Sequence, residues 1–197
     1  MTTQREARST GGRGGRGARQ RILTSAADLF YREGINATGV ERLASEASVS
    51  KRTLYQHFPS KAAVVEEYLR SLQQRVGDPI RPGPDAANHT PRERILALFE
   101  TPPPGGQMRG CPFHNAAVEA SEGMPEIQDF VHEHKRAYLK GLIKLARQAG
   151  AANPTLLGNQ LGVLYEGAAA LSTSLDDPTP WTHARKAAAT LIDHAVG

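Results

Sequence analysis

The chain has 197 residues, 39% hydrophobic and 6% aromatic, enough for a buried core and ordinary for a soluble helical protein. It carries a net charge of +4 and one cysteine, Cys111, so an intrachain disulfide is excluded. No apolar run approaches a membrane span and the amino terminus has no apolar signal core, so the expected location is the cytoplasm.

The charge is unevenly placed. Residues 1–61 hold 11 Lys and Arg against 5 Asp and Glu, whereas residues 62–197 hold 13 against 15. An anionic partner such as nucleic acid is therefore expected at the amino-terminal third.

Residues 1–17, dominated by "GGRGGRG", bury too little apolar surface to order themselves and read as a flexible basic arm. A first helix follows from about Ala18, with Ile22, Ala26, Leu29 and Phe30 at helical spacing and Gly34 as its stop. Thr38 and Glu41 have the spacing of a capping box for a second, short helix whose apolar stripe is Val40, Leu43, Ala44 and Ala47. Ser50 is a good N-cap for a third helix, with Leu54 and Phe58 as its apolar pair and Pro59 as its stop. With those two residues inward, Arg52 and Gln56 fall on the opposite face and Thr53 and Tyr55 on the flanks. Two short helices joined by a tight turn, the second displaying bidentate-capable side chains, match a helix-turn-helix whose second helix enters the major groove.

Ser60 caps a fourth helix with Val64, Val65, Tyr68, Leu69 and Leu72 on its apolar side, and Lys61 in its first turn adds charge to free backbone donors that attract phosphate. Beyond a Pro- and Gly-rich connection, Thr90, Pro91 and Glu93 start a helix carrying Ile95, Leu96 and Phe99. The remainder reads as helix from about Pro112 to Ser121, Pro125 to Gln148, Pro154 to about Ser174 under an Asn153 cap, and Thr179 to about Val196. No strand pattern stands out. The expected fold is all-α: a basic arm over 1–17, a helix-turn-helix head over 18–65 and a larger helical body over 66–197.

The run "GINATGVERLASEASVSKRTLYQHFPSKAAVVEEYL" closely resembles the DNA-binding domain of the TetR family of transcriptional regulators. The resemblance implies a three-helix head, a ligand-binding and dimerising body, and release from near-palindromic operator DNA when a small molecule binds. It places Lys51, Arg52, Thr53, Tyr55 and Gln56 against bases, and Thr38, His57 and Lys61 against phosphates. The chemistry is suitable, since Arg52 can donate two bonds to guanine and Gln56 can pair with adenine. The family commonly has Gly where this chain has Ser48. A serine held at positive φ there costs about 1 kcal/mol. The last two helices are expected to form a homodimer's four-helix bundle, where the small residues of "EGAAALSTS" permit close approach.

In the body, Cys111, Phe113, His114, Phe130, Tyr138 and Tyr165 are the candidate pocket residues, for a hydrophobic or aromatic effector. Cys111 and His114 at i, i+3 raise the alternative of a metal-responsive regulator, but no further ligand completes a set, and no metal or cofactor is expected. An RNA-binding role for the Arg-Gly arm is the other alternative. With no Gly-rich phosphate loop and no nucleophile with a recognisable partner, an enzyme is not expected.

Overall fold

A computed structural model of the chain describes residues 14–75, 88–101, 109–120 and 123–197. Among these residues the secondary structure is helical without strand: α1 (Gly14–Arg32), α2 (Val40–Glu46), α3 (Lys51–His57), α4 (Lys61–Arg75), α5 (Pro91–Ala97), α6 (Pro112–Glu119), α7 (Pro125–Gln148), α8 (Pro154–Leu175) and α9 (Thr179–Val196). α1 starts at Gly14 rather than the expected Ala18. The rest of the expected arm, residues 1–13, lies outside the described residues.

The helix starts follow local chemistry in most places. Ser50 accepts a hydrogen bond from the Thr53 amide at 3.0 Å, Thr90 and Glu93 form a reciprocal capping box, and Asn153 accepts from the Leu156 amide at 3.0 Å with Pro154 behind it. Two starts differ from expectation. The expected box at Thr38 and Glu41 does not form: α2 begins at a Gly39 cap without a side-chain bond, and Thr38 is fully buried, donating to the Gly34 carbonyl at 2.7 Å. The buried hydroxyl needs a partner, and the Gly34 carbonyl in the preceding turn is nearer to hand than the α2 amides. At α9 the helix starts at Thr179 after a Pro178 cap that makes no side-chain bond, and the carboxylate of Asp177 accepts from both the Thr179 amide, at 2.8 Å, and the Thr179 hydroxyl.

Two apolar cores form. The first joins Ile22, Ala26, Leu29 and Phe30 of α1, Leu43 and Ala44 of α2, Leu54 of α3 and Val64, Val65 and Leu69 of α4 with Phe113 and Ala116 of α6 and Ile127 and Val131 of α7. The second joins Ile95, Leu96 and Phe99 of α5 and its exit with Leu142 and Leu145 of α7, Leu157 and Leu161 of α8 and Trp181, Ala188 and Ile192 of α9. The single long helix α7 therefore lends its first half to one core and its second half to the other. α6 packs on the start of α7, and its buried Phe113 and Ala116 join the head core.

The closest approach is between α7 and α8. A Cβ on Gly158 would lie 2.8 Å from the Ile143 backbone, and one on Gly162 would lie 2.5 Å from Leu139. Glycine is required at Gly158, where the obstacle is backbone, whereas at Gly162 the obstacle is the tip of a leucine side chain that can turn aside.

Candidate nucleic-acid interface

α3 is seven residues long, too short to persist alone, and is held by Leu54, which is 0% exposed, and by Phe58 at its end, whose ring also carries the Arg19 guanidinium at 5.3 Å from its centroid. Inward placement of those two leaves Lys51, Arg52, Tyr55 and Gln56 outward, with Tyr55 44% exposed, and Thr53 and His57 half-buried on the flanks.

The outward set is not uniform. Lys51 is ion-paired to Glu41 of α2, and the hydrogen bond between them raises the lysine pKa and lowers that of the carboxylate. The Thr53 hydroxyl is engaged with Ser50 Oγ at 2.8 Å, so its polar atom serves the helix cap. Among the described residues no hydrogen bond or ion pair holds Arg52 or Gln56, whose polar ends face solvent.

The turn before α3 carries the strain that its sequence foreshadows. Ser48 has φ of 51°, with its amide donating to Ser45 at 3.0 Å and the Val49 amide donating to Ala44 at 2.9 Å. Arg21 Nε reaches from α1 to the Ala47 carbonyl at 3.0 Å and locks the turn from behind.

Of the three residues assigned to phosphates, His57 is half-buried at the end of α3, and Lys61 begins α4, where Ser60 Oγ accepts from the Ala63 amide at 3.0 Å. Burial pushes the Lys61 pKa down, and the carboxylate of Glu119 opposes that shift. Thr38 does not present its hydroxyl outward, because that hydroxyl satisfies Gly34 inside the head.

The six body candidates are not gathered into one cavity. Tyr138 and Tyr165 meet with ring centroids 5.5 Å apart, and Phe99 and Trp181 join Tyr165 at 6.1 and 5.2 Å. Burial is the main cause that pushes the Tyr165 phenol up to about 12. Phe113 stacks on His134 at 3.7 Å, Phe130 lies under Arg70, and His114 is exposed. Cys111 precedes α6 and accepts from Lys135 Nζ at 3.4 Å, while Lys135 is also paired with Glu166 of α8. Open grooves occur elsewhere among the described residues, including one of about 360 Å³ between α1, α4 and Pro112 and one of about 420 Å³ at the far end of α9. Among the described residues no three metal-ligating side chains converge, and no helix is long and apolar enough to cross a membrane.

The sequence reading missed Phe99, Lys135, Glu166 and Glu119. Phe99 was legible as apolar but not as an aromatic partner, and the three charged residues sit at ordinary surface spacing on their helices. Only tertiary packing brings Lys135 of α7 to Glu166 of α8 and Glu119 of α6 to Asn36.

Residues 22–68 match the family described as bacterial regulatory proteins, tetR family. Over 84 residues the chain is 37% identical to the HTH-type transcriptional activator FasR of Mycolicibacterium smegmatis, covering 42% of this chain and 37% of that one. The chain thus spans well under half the length of that relative. A TetR-family transcriptional regulator from Streptomyces coelicolor superimposes with a TM-score of 0.76 at 26% identity, over 92% of this chain and 91% of that one. A TetR transcriptional regulator from Streptomyces avermitilis gives a TM-score of 0.69 at 30% identity, over 90% and 97%. These relatives are transcriptional regulators, not enzymes.

Proposed function

The chain belongs to the TetR family of transcriptional regulators, and from that membership we propose that it is a cytoplasmic, homodimeric repressor that leaves a near-palindromic operator when a small hydrophobic or aromatic molecule binds its body. The observation that carries this reading is the outward face of α3, with Arg52, Tyr55 and Gln56 exposed on a helix whose other face is fully seated. Arg52 reads a guanine edge and Gln56 an adenine edge, while Tyr55 packs against the groove. Lys51 joins them by exchanging Glu41 for DNA. Lys61 and His57 position the head on phosphates without reading sequence. Thr38 serves the same end indirectly, by holding the turn before α2.

Two heads require two copies. The outward side of α8 carries Leu156, Val163, Leu171 and Leu175, all more than half exposed in one chain. Such a stripe on a monomer needs a cover, and a symmetric four-helix arrangement of α8 and α9 with a second copy supplies it. Occupying two successive major grooves, about 34 Å apart, blocks a promoter by occlusion without any further contact surface.

Effector binding falls to the aromatic nest of Phe99, Tyr138, Tyr165 and Trp181, with Lys135 and Glu166 beside it as polar handles. An effector favours release only by preferring the DNA-incompetent arrangement. The single tryptophan of the chain stands 5.2 Å from Tyr165, so its emission reports ligand entry directly.

The test is selection of duplexes from a random pool by the full-length chain, followed by anisotropy measurements against a scrambled duplex across a salt series. A palindromic preference at physiological salt, lost in Arg52→Ala, supports the reading. Equal and steeply salt-dependent binding to both duplexes defeats it.

A further inference from the structure

Among the described residues, the head makes hydrogen-bonded and ring contacts with the rest of the molecule at two places. On one side α4 runs on against α7, where Gln73 meets His134 at 3.2 Å and Arg70 lies over Phe130. A single helix seated this way still leaves rotation about its own axis. On the other side, away from that axis, α6 and its flanking residues close on the end of α1 and the turn that follows it.

The second attachment uses backbone groups that the head's own helices leave open. Arg109 donates from Nε to the carbonyl of Tyr31 at 3.1 Å and from its amide to the Tyr31 hydroxyl at 3.3 Å. Asn115 of α6 returns a bond to the Arg109 carbonyl at 2.6 Å. At the other end of α6, the Glu119 carboxylate accepts from the Asn36 amide at 2.8 Å, and the Glu119 carbonyl accepts from Asn36 Nδ2 at 2.9 Å. Gly34 makes room for this contact: it has φ of 99°, and a Cβ there would stand 3.0 Å from the carboxylate. Lys61 lies close enough to sense the same charge. Backbone donors and acceptors must find partners, so these bonds are directional and hold the turn in one place.

We propose that Glu119 is a positioning residue that fixes the orientation of each head on its body and thereby sets the half-site spacing the dimer accepts. The proposal rests on the dimeric DNA-binding reading above. Two points of attachment, one along α4 and one at the α1–α2 turn, define an orientation where one does not. With the Glu119 contact removed, each head keeps its folded core and its α3 surface, but on that side only Arg109 still holds it by hydrogen bonds, so the head tilts over a wider range about α4 and the pair measures the distance between major grooves less sharply.

The experiment uses the palindromic duplex selected by the wild-type full-length chain, versions with one or two base pairs inserted or deleted between the half-sites, and a duplex with a single half-site. Wild type is expected to discriminate against altered spacing by roughly tenfold or more. Glu119→Ala is expected to flatten that preference to about twofold while keeping wild-type affinity for the single half-site, and Glu119→Gln, which retains an acceptor oxygen, is expected to restore most of it. Unchanged spacing preference in Glu119→Ala overturns the proposal. So does a uniform loss on every duplex accompanied by a lower melting temperature, which marks a purely structural role. Failure of the wild-type chain to enrich any duplex overturns the regulator reading itself, and this inference with it.

Discussion

Among the described residues, α3 and α8 each leave a face without a covering neighbour, and those faces have opposite chemistry. α3 seats Leu54 and shows solvent Arg52, Tyr55 and Gln56, whereas α8 seats Leu157, Leu161, Ala168 and Ala169 and shows solvent Leu156, Val163, Leu171 and Leu175. A polar, cationic face on a short helix is at ease in water and gains by meeting phosphates and base edges. An apolar face on a helix of 22 residues is costly in water and gains by meeting another apolar face. The residual surface of each helix thus indicates the class of its partner.

The sharpest way to break the comparison is to place a charge on the α8 face. Val163 is 75% exposed in one chain, so Val163→Glu is expected to leave the monomer folded. Burying two unpaired carboxylates in the dimer costs about 3–5 kcal/mol, so sedimentation should report monomers, with weak binding to the single half-site preserved. A dimer that persists refutes the assignment of the α8 face. Next in size is Leu54→Ala, which removes the one side chain of α3 with no exposure and is expected to cost about 2–5 kcal/mol in chemical denaturation. This variant affects both readouts, because α3 then has no seat from which to present its outer face.

Arg52→Ala separates the two surfaces in the other direction. Losing a bidentate base contact is expected to cost about 1–3 kcal/mol of operator preference, read by anisotropy, with sedimentation unchanged. The smallest effect belongs to the turn that aims α3. Ser48 stands at φ of 51°, and Ser48→Gly is expected to raise stability by about 0.5–1 kcal/mol, because relief of the left-handed penalty exceeds the entropy lost by glycine. A melting temperature that falls instead shows that Ser48 contributes something beyond its backbone angle.

Local signals predicted most of the elements because they act within a few residues. The Ser50 and Asn153 caps, the helix start at Thr90 and the span of α7 all depend on neighbours in the chain, and all occur where expected. Thr38 shows where such a signal loses. Its spacing to Glu41 satisfies the capping pattern, yet the head core buries the hydroxyl and Gly34 claims it. A buried hydroxyl without a partner costs more than an exposed cap contributes, so burial takes precedence.

By itself the sequence determined the helical class, the order of the helices, the seated and outward faces of α3 and the concentration of positive charge at the amino-terminal third. Each of these follows from periodicity, capping and composition along one stretch of chain. Only the tertiary structure decided that α6 joins the head core, that α7 is shared between two cores, that Phe99 and Trp181 close around Tyr165, and that Glu119 reaches Asn36 across 83 positions. These depend on how amphipathic helices choose among apolar partners, a choice made by shape and close packing over the whole molecule rather than by any local pattern.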